Sequence, residues 1–255
     1  MIMSLLDSLL RWIHLVVGIL WIGHLYFFNF VNGPFQGTLD AESKKKVNPE
    51  LLPRALYWFR WGAAWTFITG VLLLFTQFYH APTNLFTSGE WSVLGVVFVL
   101  LTFLSFHGYD VLVQKVTKTQ QHFVLGVVWS VVWVFLIERV GGFGFRGAAI
   151  HLGVMFGTWM AANVWFRIWP AQKRIITAVK AGQAPDPKDP AMAGLRSKHN
   201  TYMSVPLMFL MLNQHMQFFA TRPVDFLAVN LGLVVLVAWG ATYWLYKKAA
   251  QVKGF

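Results

Sequence analysis

Cysteine is absent from this chain. That excludes disulfides, iron–sulfur clusters, thiolate ligation of haem and covalent haem attachment through C-x-x-C-H. Acidic residues are scarce. Asp and Glu number 10 against 21 Lys and Arg, and charged residues make up only 12% of the 255 residues. No H-E-x-x-H occurs either, and with so few acidic residues inside this argues against a metal ion held by protein side chains alone.

What the chain has in excess is apolar and aromatic. Hydrophobic residues reach 56%, with 13 Trp and 23 Phe, and the mean hydropathy is +0.53. A bilayer crossing needs about 20 apolar residues. Runs of that kind are expected at 5–31, 54–79, 91–114, 122–140, 147–169, 202–220 and 224–247. No segment alternates as a membrane β-strand does, and backbone satisfaction in lipid favours helices. The fold class is therefore all-α: a polytopic transmembrane helical bundle of about seven spans, with 1–255 as a single membrane-embedded domain. Asp7 precedes Arg11 and the first run is too long for a signal h-region, so that run is expected to remain as a span. No internal repeat is evident.

Two long loops are expected. The first starts with a turn at Asn32-Gly33-Pro34 and runs to the second span. The second covers 170–201 on the cytoplasmic side. Its "AQKRIITAVKAG" sets Ile175, Ile176 and Val179 among basic residues, which predicts a short amphipathic surface helix stopped at Gly182. The following "APDPKDP" resists regular structure.

Basic residues orient the chain. Lys44–Lys46, Arg54, Lys115, Lys118, Arg167, Lys173, Arg174, Lys180, Lys188, Arg196, Lys198, Lys247, Lys248 and Lys253 share one face. Arg11, Arg139, Arg146 and Arg222 fall on the other. The positive-inside rule then places the N-terminus outside and the C-terminus in the cytoplasm of a bacterial inner membrane. The net charge of +11 is explained by this bias, so no nucleic-acid partner is inferred.

The histidines carry the first chemical signal. The run "RWIHLVVGILWIGHLYFFNF" (Arg11–Phe30) holds His14 and His24, and an intramembrane imidazole needs a partner. At about 1.5 Å per residue, His14, His151 and His215 fall in the outer half of the membrane. His24 and His107 fall in the inner half, with His122 and His199 at the rim. Two such layers suit two stacked b-type haems, each iron held by imidazoles from two helices. The expected inner pair is His24 with His107. The outer pair is His14 with His215 or His151. Gly18 and Gly23 would let a macrocycle approach, and Trp12, Trp21, Phe27 and Phe28 could wall it. The competing reading is that each imidazole is satisfied by a nearby hydroxyl or carbonyl, and that the glycines serve helix packing.

A second constellation lies in the inner half: Arg60, Asp110, Asn163, Arg167 and, at the rim, His199. Asn163 and Arg167 are i, i+4, and His107 and Asp110 are i, i+3. Guanidinium with amide suits a planar, anionic, amide-rich ligand, although Arg60 and Arg167 could also snorkel to the interface. In the outer half, Asn213 and Gln214 sit beside His215 in an apolar span.

The stretches "WIGHLYFFNFV" (Trp21–Val31) and "KHNTYMSVPLMFLMLNQH" (Lys198–His215) resemble the membrane-bound urate oxidase, or urate hydroxylase, family. That resemblance covers essentially the whole chain. It implies eight spans followed by a c-type cytochrome domain, oxidation of urate to 5-hydroxyisourate, and electrons leaving to cytochrome c. It directly supports His24, His199 and His215 and assigns no catalytic residue. The chain carries seven expected spans and no C-x-x-C-H, so it is expected to be the membrane part of a longer protein or to use a separate cytochrome c. A non-redox transporter and a cytochrome b subunit without a substrate site are the rival readings.

Overall fold

The computed structural model describes residues 2–116, 118–212 and 226–252. His215, Asn213, Gln214 and Arg222 lie outside the described residues. The elements follow the order α1 (Ile2–Tyr26), a π turn (Phe27–Asn32), α2 (Gly33–Thr38), α3 (Ala41–Leu74), a second π turn (Phe75–Tyr79), α4 (Val93–Lys115), α5 (Thr119–Arg139), α6 (Phe145–Ala162), a third π turn (Asn163–Ile168), α7 (Trp169–Lys180), α8 (Lys188–Leu212) and α9 (Leu227–Gln251). The described residues hold no strand, only a bridge between Phe86 and Phe143. The protein is all-α.

Among the described residues, five helical stretches are long and apolar enough to cross a membrane: Ser4–Thr38, Ala41–Tyr79, Val93–Lys115, Thr119–Arg139 and Leu227–Gln251. Expected span five is a helix that falls short on hydropathy, and expected span six, 202–220, runs partly outside the described residues. Arg146, His151 and glycines 147, 153 and 157 dilute α6, which is almost wholly buried and so need not present apolar side chains to lipid. The first half of α8 is polar.

Both expected loops are largely helical. After the first π turn, Gly33 N–H still bonds the Phe28 carbonyl, and Pro34 falls in the first turn of α2, where a missing N–H is harmless. The Asp40 carboxylate then caps α3, accepting from the Ser43 N–H and hydroxyl at 2.8 Å each. Pro49 and Pro53 lie inside α3. In the second loop, α7 forms where the period predicts it and stops at Gly182, whose φ of 73° is left-handed. Its apolar face packs on protein, with Ala171 and Ile176 buried. Only the Pro-rich stretch before Lys188 stays irregular, and α8 starts well ahead of the expected span.

The chain divides into two compact units. The first comprises residues 1–71, 160–202 and 241–255, and the second 72–159 and 203–240. In the first, α1 runs against α3 along one seam. The His14 ring meets Gly70, Gly18 meets Thr66, the Trp21 backbone meets Gly62, and the Phe28 ring meets Phe59 edge-on at 5.5 Å. The spacing of His14, Trp21 and Phe28 is a heptad, so all three share the face turned to α3. In the second unit, Leu85, Phe86, Phe98, Phe143, Leu152 and Phe156 build a dry core. It is tied by Gly144 N–H to the Leu85 carbonyl at 2.7 Å and Thr87 N–H to the Gly142 carbonyl at 3.1 Å.

Candidate functional site

The first unit holds a buried polar chain at the start of the third π turn. Arg196 Nη1 donates to Asn163 Oδ1 at 3.2 Å. Asn163 Nδ2 donates to Asn200 Oδ1 at 2.8 Å. Asn200 Nδ2 donates to the Met160 carbonyl at 2.9 Å. Asn163 and Asn200 are fully enclosed and Arg196 is 2% exposed. Arg196 and Asn200 are i, i+4 on α8 and share a face. The order of donors fixes both amide orientations and places a cation at one end. Such a polarised row, in a low dielectric, is held rigid and sets a positive charge in the interior of the unit.

The first π turn makes a matching contact. Asn29 donates to Ser197 Oγ at 2.8 Å and to the Leu25 carbonyl at 2.9 Å, and accepts from the Tyr246 hydroxyl at 2.8 Å. Tyr246 stacks on Tyr202 at 5.8 Å, with the Lys198 ammonium over its ring at 5.6 Å. Thus two π turns each aim an asparagine at the Arg196–Asn200 segment of α8. An i→i+5 turn accommodates an extra residue and re-aims side chains locally, and such turns recur at functional sites.

Of the expected substrate residues, Arg60, Asn163, Arg167 and His199 lie in this unit. Arg60 stacks on Trp169 at 3.8 Å, and its carbonyl accepts from Trp165 Nε1 at 3.2 Å. Arg167 sits half-buried on the third π turn and His199 half-buried on α8. Asp110 belongs to the second unit, where Gln114 donates to it at 2.8 Å. Arg196, Asn200, Asn29 and Tyr246 were not singled out by the sequence. The signal for two of them was present: Arg196 and Asn200 stand one helical turn apart, directly before an apolar run.

The expected haem ligands divide between the units. Thr69 gives its hydroxyl hydrogen to the Trp65 carbonyl at 2.7 Å, so at 3.0 Å it accepts from His14 Nδ1–H. His24 Nδ1–H donates to the Leu20 carbonyl at 2.7 Å. Both imidazoles are therefore Nδ1–H tautomers with the lone pair on Nε2, the form an axial ligand needs, and each has an oriented outer partner. These two residues fit a haem iron. In the second unit, His107 is exposed. His151 is fully buried and has both nitrogens engaged: Nδ1–H to the Gly147 carbonyl at 2.8 Å, and Nε2 accepting from the Tyr79 hydroxyl at 3.2 Å. A ligand role for His151 requires Tyr79 to let go. Among the described residues no three His, Asp or Glu side chains form a cluster for a bare metal ion.

Outside the spans, Arg174 and Asp189 tie α7 to α8 with a bond of 2.9 Å. The guanidinium holds the Asp189 carboxyl below its ordinary value, and the carboxylate raises Arg174. The Ser43 N–H likewise lowers the Asp40 carboxyl.

Long apolar helices, with no strand among the described residues, define a polytopic helical membrane protein. The chain belongs to the urate oxidase N-terminal family, whose model matches residues 35–254. No curated protein and no solved structure matches it.

Proposed function

We propose that this chain is the membrane part of a urate-oxidising oxidoreductase that converts urate to 5-hydroxyisourate and delivers the electrons to cytochrome c. Family membership across residues 35–254 carries the reading, and the Arg196–Asn163–Asn200 chain supplies a chemically suited site. Urate is planar and anionic near neutral pH, with alternating carbonyl and N–H groups. Arg196 would supply positive charge near the anion, and Asn163, bonded to Arg196 and to Asn200, would hold the guanidinium in place. Arg60, Arg167 and His199 stand in the same unit as further candidate contacts.

The overall reaction balances as urate plus water giving 5-hydroxyisourate, two electrons and two protons. Water forms the new C–O bond at C5, and the protons leave to solvent or to a nearby base. When bound, b-type haem supplies one-electron storage that side chains lack. His24 and His14 are the residues best prepared to hold it. The surplus of basic residues on one face supports an inner-membrane location with the N-terminus outside and the C-terminus cytoplasmic. The acceptor would be a cytochrome c domain or a separate cytochrome c.

The test uses protein expressed with haem available and purified in detergent. Urate should disappear as oxidised cytochrome c is reduced, two cytochromes per urate, without oxygen being consumed. No urate loss with cytochrome c or a chemical one-electron acceptor would overturn the reading.

A further inference from the structure

Trp21 is 2% exposed, and its indole N–H is buried without an acceptor. Trp129, Trp133 and Trp239 share that state in the second unit, so among the described residues Trp21 is the one such indole of the first unit, and a buried donor without an acceptor calls for a reason. Packing does not supply one. The contact that seats Trp21 against α3 is made by its backbone and Cβ, at 3.1–3.3 Å from where a Gly62 Cβ would stand. A ring without N–H would satisfy it equally.

Its neighbours on α1 give the N–H a context. Trp21 lies three residues before His24 and seven after His14, so the three share one side of the helix within about 80°. Both histidines carry their lone pair on Nε2, as derived above. On α3, two residues before Gly62, Arg60 also has a buried Nε–H without an acceptor. Arg60 lies about 160° round α3 from Gly62 and stacks on Trp169, so the shared face of α1 carries one unmatched donor and two imidazole lone pairs.

The geometry points to Trp21 as a ligand-binding residue whose indole N–H donates to a carbonyl or carboxylate oxygen of a planar molecule held along α1. This rests on the proposed function, because the oxygen has two possible sources: a carbonyl of the purine or an acid side chain of the prosthetic group. Both are oxygen acceptors that an indole N–H fits. Trp21 would discriminate ligands by that oxygen and leave bulk packing to Gly62.

The experiment compares the full chain in detergent with Trp21→Phe. A second variant places at position 21 a tryptophan isostere with sulfur in place of N–H, which keeps volume if phenylalanine fails to fold. Radiolabelled urate binding, chromophore per protein and chromophore reduction midpoint are measured on each. Loss of one buried hydrogen bond corresponds to about tenfold in affinity. Urate binding weakened about tenfold with unchanged chromophore supports the purine as source. Reduced chromophore retention or a shifted midpoint with unchanged urate affinity supports the prosthetic group. If the isostere binds urate and chromophore like wild type, the inference is overturned, even if thermal stability changes. Wild-type protein that binds neither overturns the proposed function first, and this inference with it.

Discussion

Asn163 works as both donor and acceptor, and its neighbours depend on each role. Replacing it by Leu removes the acceptor for Arg196 and the donor to Asn200 within an enclosed site. Each orphaned group costs about 1–3 kcal/mol. Asn163→Leu should therefore unfold at lower temperature and lose urate affinity together. Asn200→Leu should do the same. Thermal unfolding with and without urate checks this; a variant of normal stability and affinity would remove the site from consideration. For the histidines, His24→Ala should lower haem content or alter its difference spectrum, and His14→Ala should act on a different share. Unchanged spectra in both would leave them as structural imidazoles. Asn163 was legible because an amide in an apolar span is conspicuous. Arg196 was hidden by its own charge, since any basic residue near a span end also serves the topology bias.

At the scale of elements, the α1–α3 seam is fixed by what glycine leaves out. A methyl at Gly62 would press on the Trp21 backbone, which cannot rotate away as a side chain can. Gly62→Ala should thus cost about 1–3 kcal/mol. Gly70→Ala, meeting only the His14 ring at 3.1 Å, should cost less and act mainly on whatever His14 holds. Chemical unfolding of the two variants checks the order. The α7–α8 tie adds a pH dependence. The Asp189 carboxyl is lowered by Arg174, so its stabilisation is complete above the ordinary carboxyl value of about 4. It is lost as pH falls through the lowered native value. Acid should release protection of α7 amides in hydrogen exchange before the spans respond, and high salt should mimic part of it. Helix α7 was legible because its apolar period repeats cleanly. The helical character of residues 33–53 was not, because Pro34, Pro49 and Pro53 read as breakers. A proline in a first turn sacrifices no hydrogen bond, and long neighbouring helices carry the rest.

For the whole molecule, the basic surplus predicts that the segment around Lys44–Lys46 and the C-terminus face the cytoplasm. Reporter fusions near residue 46 and after Phe255 should both register there; an external C-terminus would reverse the assignment. The apolar runs made the all-α class readable, while the division into two units was not, because helices run through it without any break in composition. The π turns were equally silent, since an extra residue in a helix leaves no mark in hydrophobic pattern. They have a consequence for how this chain tolerates insertion and deletion. A π turn can absorb one surplus residue while the helix on either side keeps its register. Removing one, such as the 67% exposed Phe166, would restore an ordinary α-helix and leave both flanks in phase. The same deletion in the middle of α4 would rotate everything beyond it by about 100°. The chain should therefore be most forgiving of single-codon loss, in expression and insertion, at the places where its chemistry is least forgiving of it.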